Sequence, residues 1–274
     1  MAATGGTSKN DSFQKSLQPN QALRMLSQRE VRILDTPEHL FQAAADEFES
    51  LGSKAIQRSG RFTVALSGGS TPRSLYSLLS TKTSIGWDRV CFFWGDERHV
   101  PPDHPESNYR MAHEALLAKV PVRPENVFRI PAEEPDAATA AARYEQQTRD
   151  FFALAPGRFP RFDLMLLGLG PDGHTASLFP NTAALNENNR LVVANWVEKF
   201  NTHRITMTFP VLNHSACVMF LVSGKDKALA LKEALDHNSV SVPVARVRPL
   251  DGRLLWLVDR EAASSLSADQ KRGT

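Results

Sequence analysis

Cysteine is scarce: Cys91 and Cys217 are the two in 274 residues. Each stands inside an apolar run, Val90-Cys91-Phe92-Phe93 and Ala216-Cys217-Val218-Met219-Phe220, so both read as small core residues on strands. A disulfide framework is therefore not implied, and a reducing cytoplasm is the expected compartment. No stretch approaches the ~20 apolar residues that cross a bilayer. The first residues lack the apolar core of a secretory leader. An excess of charge is missing as well, since 32 basic residues face 30 acidic ones for a formal net charge of +2. Basic residues scattered in this way do not make the concentrated face of a nucleic-acid binder. Any positive field is local, which suits a small anionic ligand, and neither a nucleic acid nor a membrane is expected as partner.

Several chemical signatures are also lacking. There is no G-x-x-x-x-G-K-[ST] phosphate loop and no G-x-S-x-G nucleophile elbow. No His, Cys and Asp residues recur at metal-ligand spacing. No Pro/Gly/Ser-rich linker divides the chain, and no internal repeat of fixed period is present.

What is present is an ordinary globular balance, 42% apolar and 23% charged. Residues 1–28 are polar and rich in Ser, Gln and Asn, and read as a disordered tail, with an organelle transit peptide as the competing reading. From there to residue 274 a single domain is expected. Strands are predicted at 31–34, 63–66, 89–94, 127–130, 162–167, 190–197, 205–208, 216–222 and 254–258. Helices are predicted at 37–56, from 72 to 79, after Asn108, at 136–154 and at 226–235. On the first of these helices Leu40, Phe41, Ala44, Phe48 and Leu51 share one face. Strands without polar alternation, separated by helices, indicate a mostly parallel sheet covered on both faces. The expectation is a doubly wound, Rossmann-like α/β domain.

Ligands of such sheets bind beyond the carboxyl ends of the strands, which selects four loops. In Ser67-Gly68-Gly69-Ser70-Thr71-Pro72-Arg73 a strand feeds a helix N-terminus, whose free N–H groups and positive dipole end suit an anion. Read as structure alone, it is a tight turn with a helix cap. Gly95-Asp96-Glu97-Arg98-His99 packs four titratable residues after an apolar strand, and the fork of Arg98 suits a phosphate or an oxyanion. The plain alternative is an internal ion pair, and His99 and His104 read as loop histidines. Gly168-Leu169-Gly170-Pro171-Asp172-Gly173-His174 contains G-x-G-x-x-G, but Pro180 leaves only a short turn where a dinucleotide site wants a long helix. Its other reading is a poised pair: His174 takes a proton near neutral pH while Asp172 orients the ring. With no Ser or Cys nucleophile in place, a water is the natural attacker. In Ser223-Gly224-Lys225-Asp226-Lys227 either lysine could meet a phosphate, and Arg246 is a further basic candidate.

In this order and spacing the four loops, with Ser107-Asn108, Thr175-Ala176-Ser177-Leu178-Phe179-Pro180, Gly224-x-x-Lys227-Ala228 and Trp256-Leu257-Val258-Asp259, closely resemble the 6-phosphogluconolactonase family. The resemblance covers nearly everything from Val31 to Ala263. It implies hydrolysis of a phosphorylated sugar lactone, 6-phospho-D-glucono-1,5-lactone, in the oxidative pentose phosphate pathway, with no cofactor. On the family pattern His174 resembles the acid/base, supported by Asp172, and Arg98 a substrate-site cation. Gly68, Gly69, Ser70, Thr71, Lys227 and Arg246 resemble phosphate and sugar contacts, with Arg73 and Asp96 beside them. A monomer or weak homo-oligomer is expected. The rival within the fold class, glucosamine-6-phosphate deaminase, carries Asp-Glu-Tyr where this chain has Asp96-Glu97-Arg98, and a glutamate where it has Phe179. A non-catalytic sugar-phosphate sensor is the alternative from another class.

Overall fold

The chain is described here by a computed structural model, covering residues 29–236 and 242–271. The tail expected at 1–28 lies outside the described residues. Strand β1 (Arg29–Leu34) ends at a tight junction where Thr36 accepts from His39 N at 3.3 Å and Pro37 opens α1 (Pro37–Ser59). Proline is tolerated there because the first helical N–H groups have no intrahelical partner. Helix α1 buries Leu40, Ala44, Ala45, Phe48, Gly52 and Ala55, and stops at Gly60, which adopts the left-handed conformation (φ 76°). The predicted apolar face is present, with Phe41 and Leu51 at its half-buried margin.

Six strands form one parallel sheet in the order β1, β9 (Arg253–Asp259), β8 (Cys217–Val222), β5 (Leu164–Leu167), β2 (Phe62–Leu66), β3 (Val90–Trp94). Strands β2, β3, β5 and β8 are buried along their whole length, hence the unbroken apolar runs. Cys91 and Cys217 lie on β3 and β8, buried and unpaired, as expected. Helices α2 (Ser70–Leu79), α3 (Asn108–Ala115), α4 (Ala137–Phe152), α5 (Phe209–His214), α6 (Ala228–Leu235) and α7 (Ala268–Lys271) complete the domain.

Two expectations need correction. Residues 127–130 are not a strand; they make a single bridge from Val127 to Phe92, and the stretch instead turns to stack Phe128 on Phe93 at 4.6 Å. The segments read as further strands of the main sheet at 190–197 and 205–208 form a second, antiparallel sheet. There β7 (Thr202–Met207) lies in the middle and pairs on one side with β6 (Val192–Val197) and on the other with a short strand, β4 (Asp96–Arg98). Gly95 joins the two sheets, its N–H donating to Leu66 O at 2.9 Å and its carbonyl accepting from Met207 N at 2.8 Å. The main sheet reverses winding direction between β2 and β5, and a cleft opens at such a reversal.

Candidate functional site

The cleft has a volume of about 290 Å³ and is walled by the loops after β2 and β5, by β4 and β7, and by Lys227. Two of its loops, those after β2 and β5, depend on close approaches that only glycine permits. A Cβ on Gly68 would stand 1.8 Å from Asn108 Oδ1, and one on Gly170 would stand 2.0 Å from His174 Nδ1. Gly173 takes a positive φ (77°) and faces Val242, which a Cβ would meet at 2.5 Å. Gly170 therefore makes room for the histidine ring, and no α-helix follows Gly173 where a dinucleotide site would want one.

His174 and Asp172 are brought together. Nδ1 of the ring lies 2.5 Å from Asp172 Oδ1, and the backbone N–H of His174 donates to the same oxygen at 3.3 Å. Lys199 Nζ reaches the other oxygen at 3.4 Å. Burial works to raise the Asp172 pKa, but the hydrogen bonds and charge of His174, with Lys199, outweigh it and hold the carboxyl below its ordinary range. An ionised carboxylate only accepts, so Nδ1 is the donor of this pair, and in the neutral tautomer that this selects the lone pair is on Nε2. One face of the imidazole packs on Phe179 at 4.0 Å between centroids, and Phe179 meets Phe200 edge-on at 5.7 Å.

Glu97 has a different job from the one its neighbours suggest. It is 2% exposed, and its two oxygens accept from the N–H groups of Arg98, Asn108 and Tyr109 at 2.7–2.8 Å and from Ser107 Oγ at 3.1 Å. Burial raises its pKa against the pull of those amides. It caps α3 and is saturated, so it is neither the ion pair considered for this loop nor a spare base. Asp96, on the same short strand, accepts from Ser177 Oγ at 2.7 Å and lines the cleft. Arg98 also lines it, anchored through its guanidinium to the Glu106 carbonyl. His99 contacts the Glu134 carbonyl and meets the His203 ring edge-on at 6.4 Å, while His104 accepts from Glu106 N.

At the opposite wall, Ser67, Gly68 and Gly69 precede α2, whose N-cap Gly69 offers no side-chain cap. Ser67 Oγ is buried and has no hydrogen-bond partner, although the backbone of Ser67 is held on both sides by Tyr76 Oη. A buried hydroxyl without a partner beside uncapped helix N–H groups is a place for an anion. Lys227 lines this cleft and Lys225 does not, and Lys227 Nζ also pairs with Asp226 at 2.8 Å. Asp259 fixes the Lys227 loop by accepting from Ser223 Oγ at 2.6 Å and from Gly224 N at 3.1 Å.

Two expected contacts lie elsewhere. Arg246 sits over the Phe209 ring at 4.4 Å and is not in the cleft wall; Arg73 points outward, its guanidinium 3.9 Å from Glu114. Ser70 and Thr71 open α2 behind Gly69 and are not in the cleft wall. Sequence reading missed Arg204, Phe200 and Asn108 as wall residues. Arg204 and Phe200 sit on an antiparallel hairpin outside the strand-end rule, and the signal for Asn108 was the tight Gly68 beside it. Among the described residues no group of three or more His, Cys, Asp or Glu could hold a metal, and no helix is long and apolar enough to cross a membrane.

A family model described as glucosamine-6-phosphate isomerases/6-phosphogluconolactonase matches residues 35–256. A 6-phosphogluconolactonase of Nostoc sp. is 45% identical over 215 residues, 78% of this chain and 88% of that one. The protein of Arabidopsis thaliana called 6-phosphogluconolactonase 3, chloroplastic, is 39% identical over 275 residues, 96% of this chain and 84% of its own. Among solved structures, the 6-phosphogluconolactonase from Trypanosoma cruzi matches with a TM-score of 0.80 at 29% identity, covering 88% of this chain and 97% of the other.

Proposed function

The chain belongs to the glucosamine-6-phosphate isomerase/6-phosphogluconolactonase family, and from that premise we propose that His174 and Asp172 drive its reaction. It hydrolyses 6-phospho-D-glucono-1,5-lactone to 6-phospho-D-gluconate, a step of the pentose phosphate pathway. Nε2 of His174 takes a proton from a water, the hydroxide adds to C1, and the carbonyl electrons move onto oxygen. As the oxyanion collapses, the C1–ring oxygen bond breaks and Nε2 returns its proton to the departing oxygen, which becomes the C5 hydroxyl. A positioned base of this kind supplies about 10²–10⁴-fold. Arg98 stabilises the oxyanion, a further ~10²–10³-fold. The observation that carries this reading is the 2.5 Å contact between Asp172 and the His174 ring at the cleft wall.

The 6-phosphate sits at the head of α2, on the N–H groups of Gly68, Gly69, Ser70 and Thr71, with Ser67 Oγ and Lys227. Asp96 supports the sugar from the far side. Arg73 and Arg246, which lie off the wall, are assigned no direct contact. The mechanism uses no metal or cofactor, so turnover is expected to survive exhaustive treatment with EDTA; rescue of a chelated, inactive enzyme by zinc or magnesium would overturn it. The protein works as a monomer or weak homo-oligomer, without nucleic acid. We place it in the cytoplasm, consistent with two unpaired thiols; imaging of the tagged full chain tests this, and accumulation in a plastid would overturn it. Turnover of the phosphorylated lactone well above its spontaneous hydrolysis, with poor turnover of gluconolactone itself, tests the activity and separates it from a sensor. Release of ammonia from glucosamine 6-phosphate would favour the deaminase instead.

A further inference from the structure

Arg98 on β4 and Arg204 on β7 are direct partners across an antiparallel ladder. Like charges placed opposite one another in this way destabilise a sheet. Asp96 and Thr206, two residues along each strand, are also partners, so the four share one face of the second sheet. That face borders the cleft, which Arg98, Arg204 and Asp96 all line. Neither guanidinium forms an ion pair with a carboxylate among the described residues; Arg98 is held by a carbonyl and Arg204 lies over the Phe200 ring at 5.2 Å. Burial and then the charge of Arg98 push the Arg204 pKa down, against the weaker pull of Asp96, Glu106 and Glu97. Two opposed, half-buried cations without an ion-pair partner among the described residues form a receptor for an anion.

The phosphate has its own seat at the head of α2, so a second anion must be sought on the substrate. Only one other group becomes anionic during the reaction: the C1 oxygen, first as the tetrahedral oxyanion and then as the product carboxylate. C1 must lie beside His174, and Arg204 is linked to His174 by a continuous aromatic wall, through Phe200 and Phe179. We propose that Arg204 is a catalytic residue that closes with Arg98 on the C1 oxygens, stabilising the oxyanion and then binding the carboxylate of the product. The bound class is thus a phosphorylated aldonic acid held at both ends. The proposal rests on the lactone-hydrolase reading above, and adds Arg204 and the product contact to it.

The test compares wild type with Arg204→Met and Arg204→Lys in two measurements. The first is steady-state turnover of the phosphorylated lactone. The second is calorimetric affinity for 6-phosphogluconate and for sorbitol 6-phosphate, which keeps the phosphate but has an alcohol where the product has a carboxylate. One charged hydrogen bond predicts that Arg204→Met lowers kcat roughly tenfold to hundredfold with KM nearly unchanged. The same variant should weaken 6-phosphogluconate by about tenfold or more while sorbitol 6-phosphate binds as before. Arg204→Lys, which keeps the charge but not the fork, should fall between and also covers the case in which the methionine variant does not fold. Equal weakening of both ligands would make Arg204 a phosphate residue and overturn the proposal, as would an unchanged kcat and product affinity. Failure of the hydrolase reading looks different: wild type itself would not turn over the lactone.

Discussion

The two ends of the main sheet treat charge in opposite ways. At the amino ends of β1 and β9, Arg253 reaches Glu30 at 2.6 Å and Glu47 at 2.8 Å, and Arg32 pairs with both carboxylates. Two cations answer two anions, and each group is held by the others. At the carboxyl ends, Arg98 and Arg204 oppose each other, Ser67 Oγ has no partner, and the head of α2 is uncapped. One end is closed electrostatically by the chain itself. The other is completed only by something the chain does not supply, and stability given up there is the usual cost of a binding site.

The largest expected effect breaks the open end at its chemical centre. His174→Ala should lower kcat by at least about a hundredfold with little change in KM, and in wild type kcat should fall on the acid side as the imidazole protonates. Asp172→Asn should cost less, since the imidazole remains without its charged partner. Stopped assays over a pH series read both. Retention of most activity by His174→Ala would move the base elsewhere, and Glu97, saturated by amides, would not be the substitute.

Next comes the phosphate seat: Lys227→Ala should raise KM roughly tenfold to hundredfold, a loss that unphosphorylated lactone does not show. Equal turnover of both lactones by wild type would remove the seat. Gly170→Ala tests whether the glycine loop exists for the imidazole. Its Cβ would overlap Nδ1, so the ring must shift, and a displacement of about 1 Å is worth up to about a hundredfold in rate. We expect kcat to drop about tenfold or more with the melting temperature nearly unchanged; an unaffected kcat would show that the ring position is not critical.

The smallest effect is expected at the closed end. Glu47→Gln should leave kinetics alone and lower stability by about 1 kcal/mol, or about 2–4 °C in Tm for a chain of this size. The Arg253 hydrogen bond, opposed by burial and aided by the charges of Arg253 and Arg32, holds Glu47 below the ordinary glutamate range. A depressed carboxylate contributes stability above its unfolded pKa and loses it as pH falls through the folded one. The gap in Tm between wild type and Glu47→Gln should therefore be full at neutral pH and close below about pH 4. A gap that persists in acid would mean that packing, not charge, is at work there.

How much of this was legible in the sequence depends on the kind of signal. The parallel strands and α1 were readable because buried strands are unbroken apolar runs and α1 keeps one apolar face. The pairing of Asp172 with His174 was readable because it is local, two residues apart on one loop. Arg204 was not. Its meaning comes from cross-strand register with Arg98, more than a hundred residues away, and nothing in Thr202-His203-Arg204-Ile205 marks that. The stretch at 127–130 misled because a short, mostly apolar run before a helix matches a strand, while the Phe128 ring is needed against Phe93. Glu97 misled in the other direction, since a buried carboxylate capping a helix looks in sequence like one more acid in a charged loop.

The pairing of β1 with β9 has a consequence for how the protein is made. Glu30 and Arg253 lie 223 residues apart, yet belong to one ladder and one ion cluster. At about 5–20 residues per second, the ribosome delivers the second partner on the order of ten to forty seconds after the first. Until then β8 has an unzipped, wholly apolar edge, a template for pairing with other nascent chains. Completion of the sheet thus waits for its last strand to be synthesised, and yield should respond to chaperone supply and to synthesis rate more steeply than the stability of the finished fold would suggest.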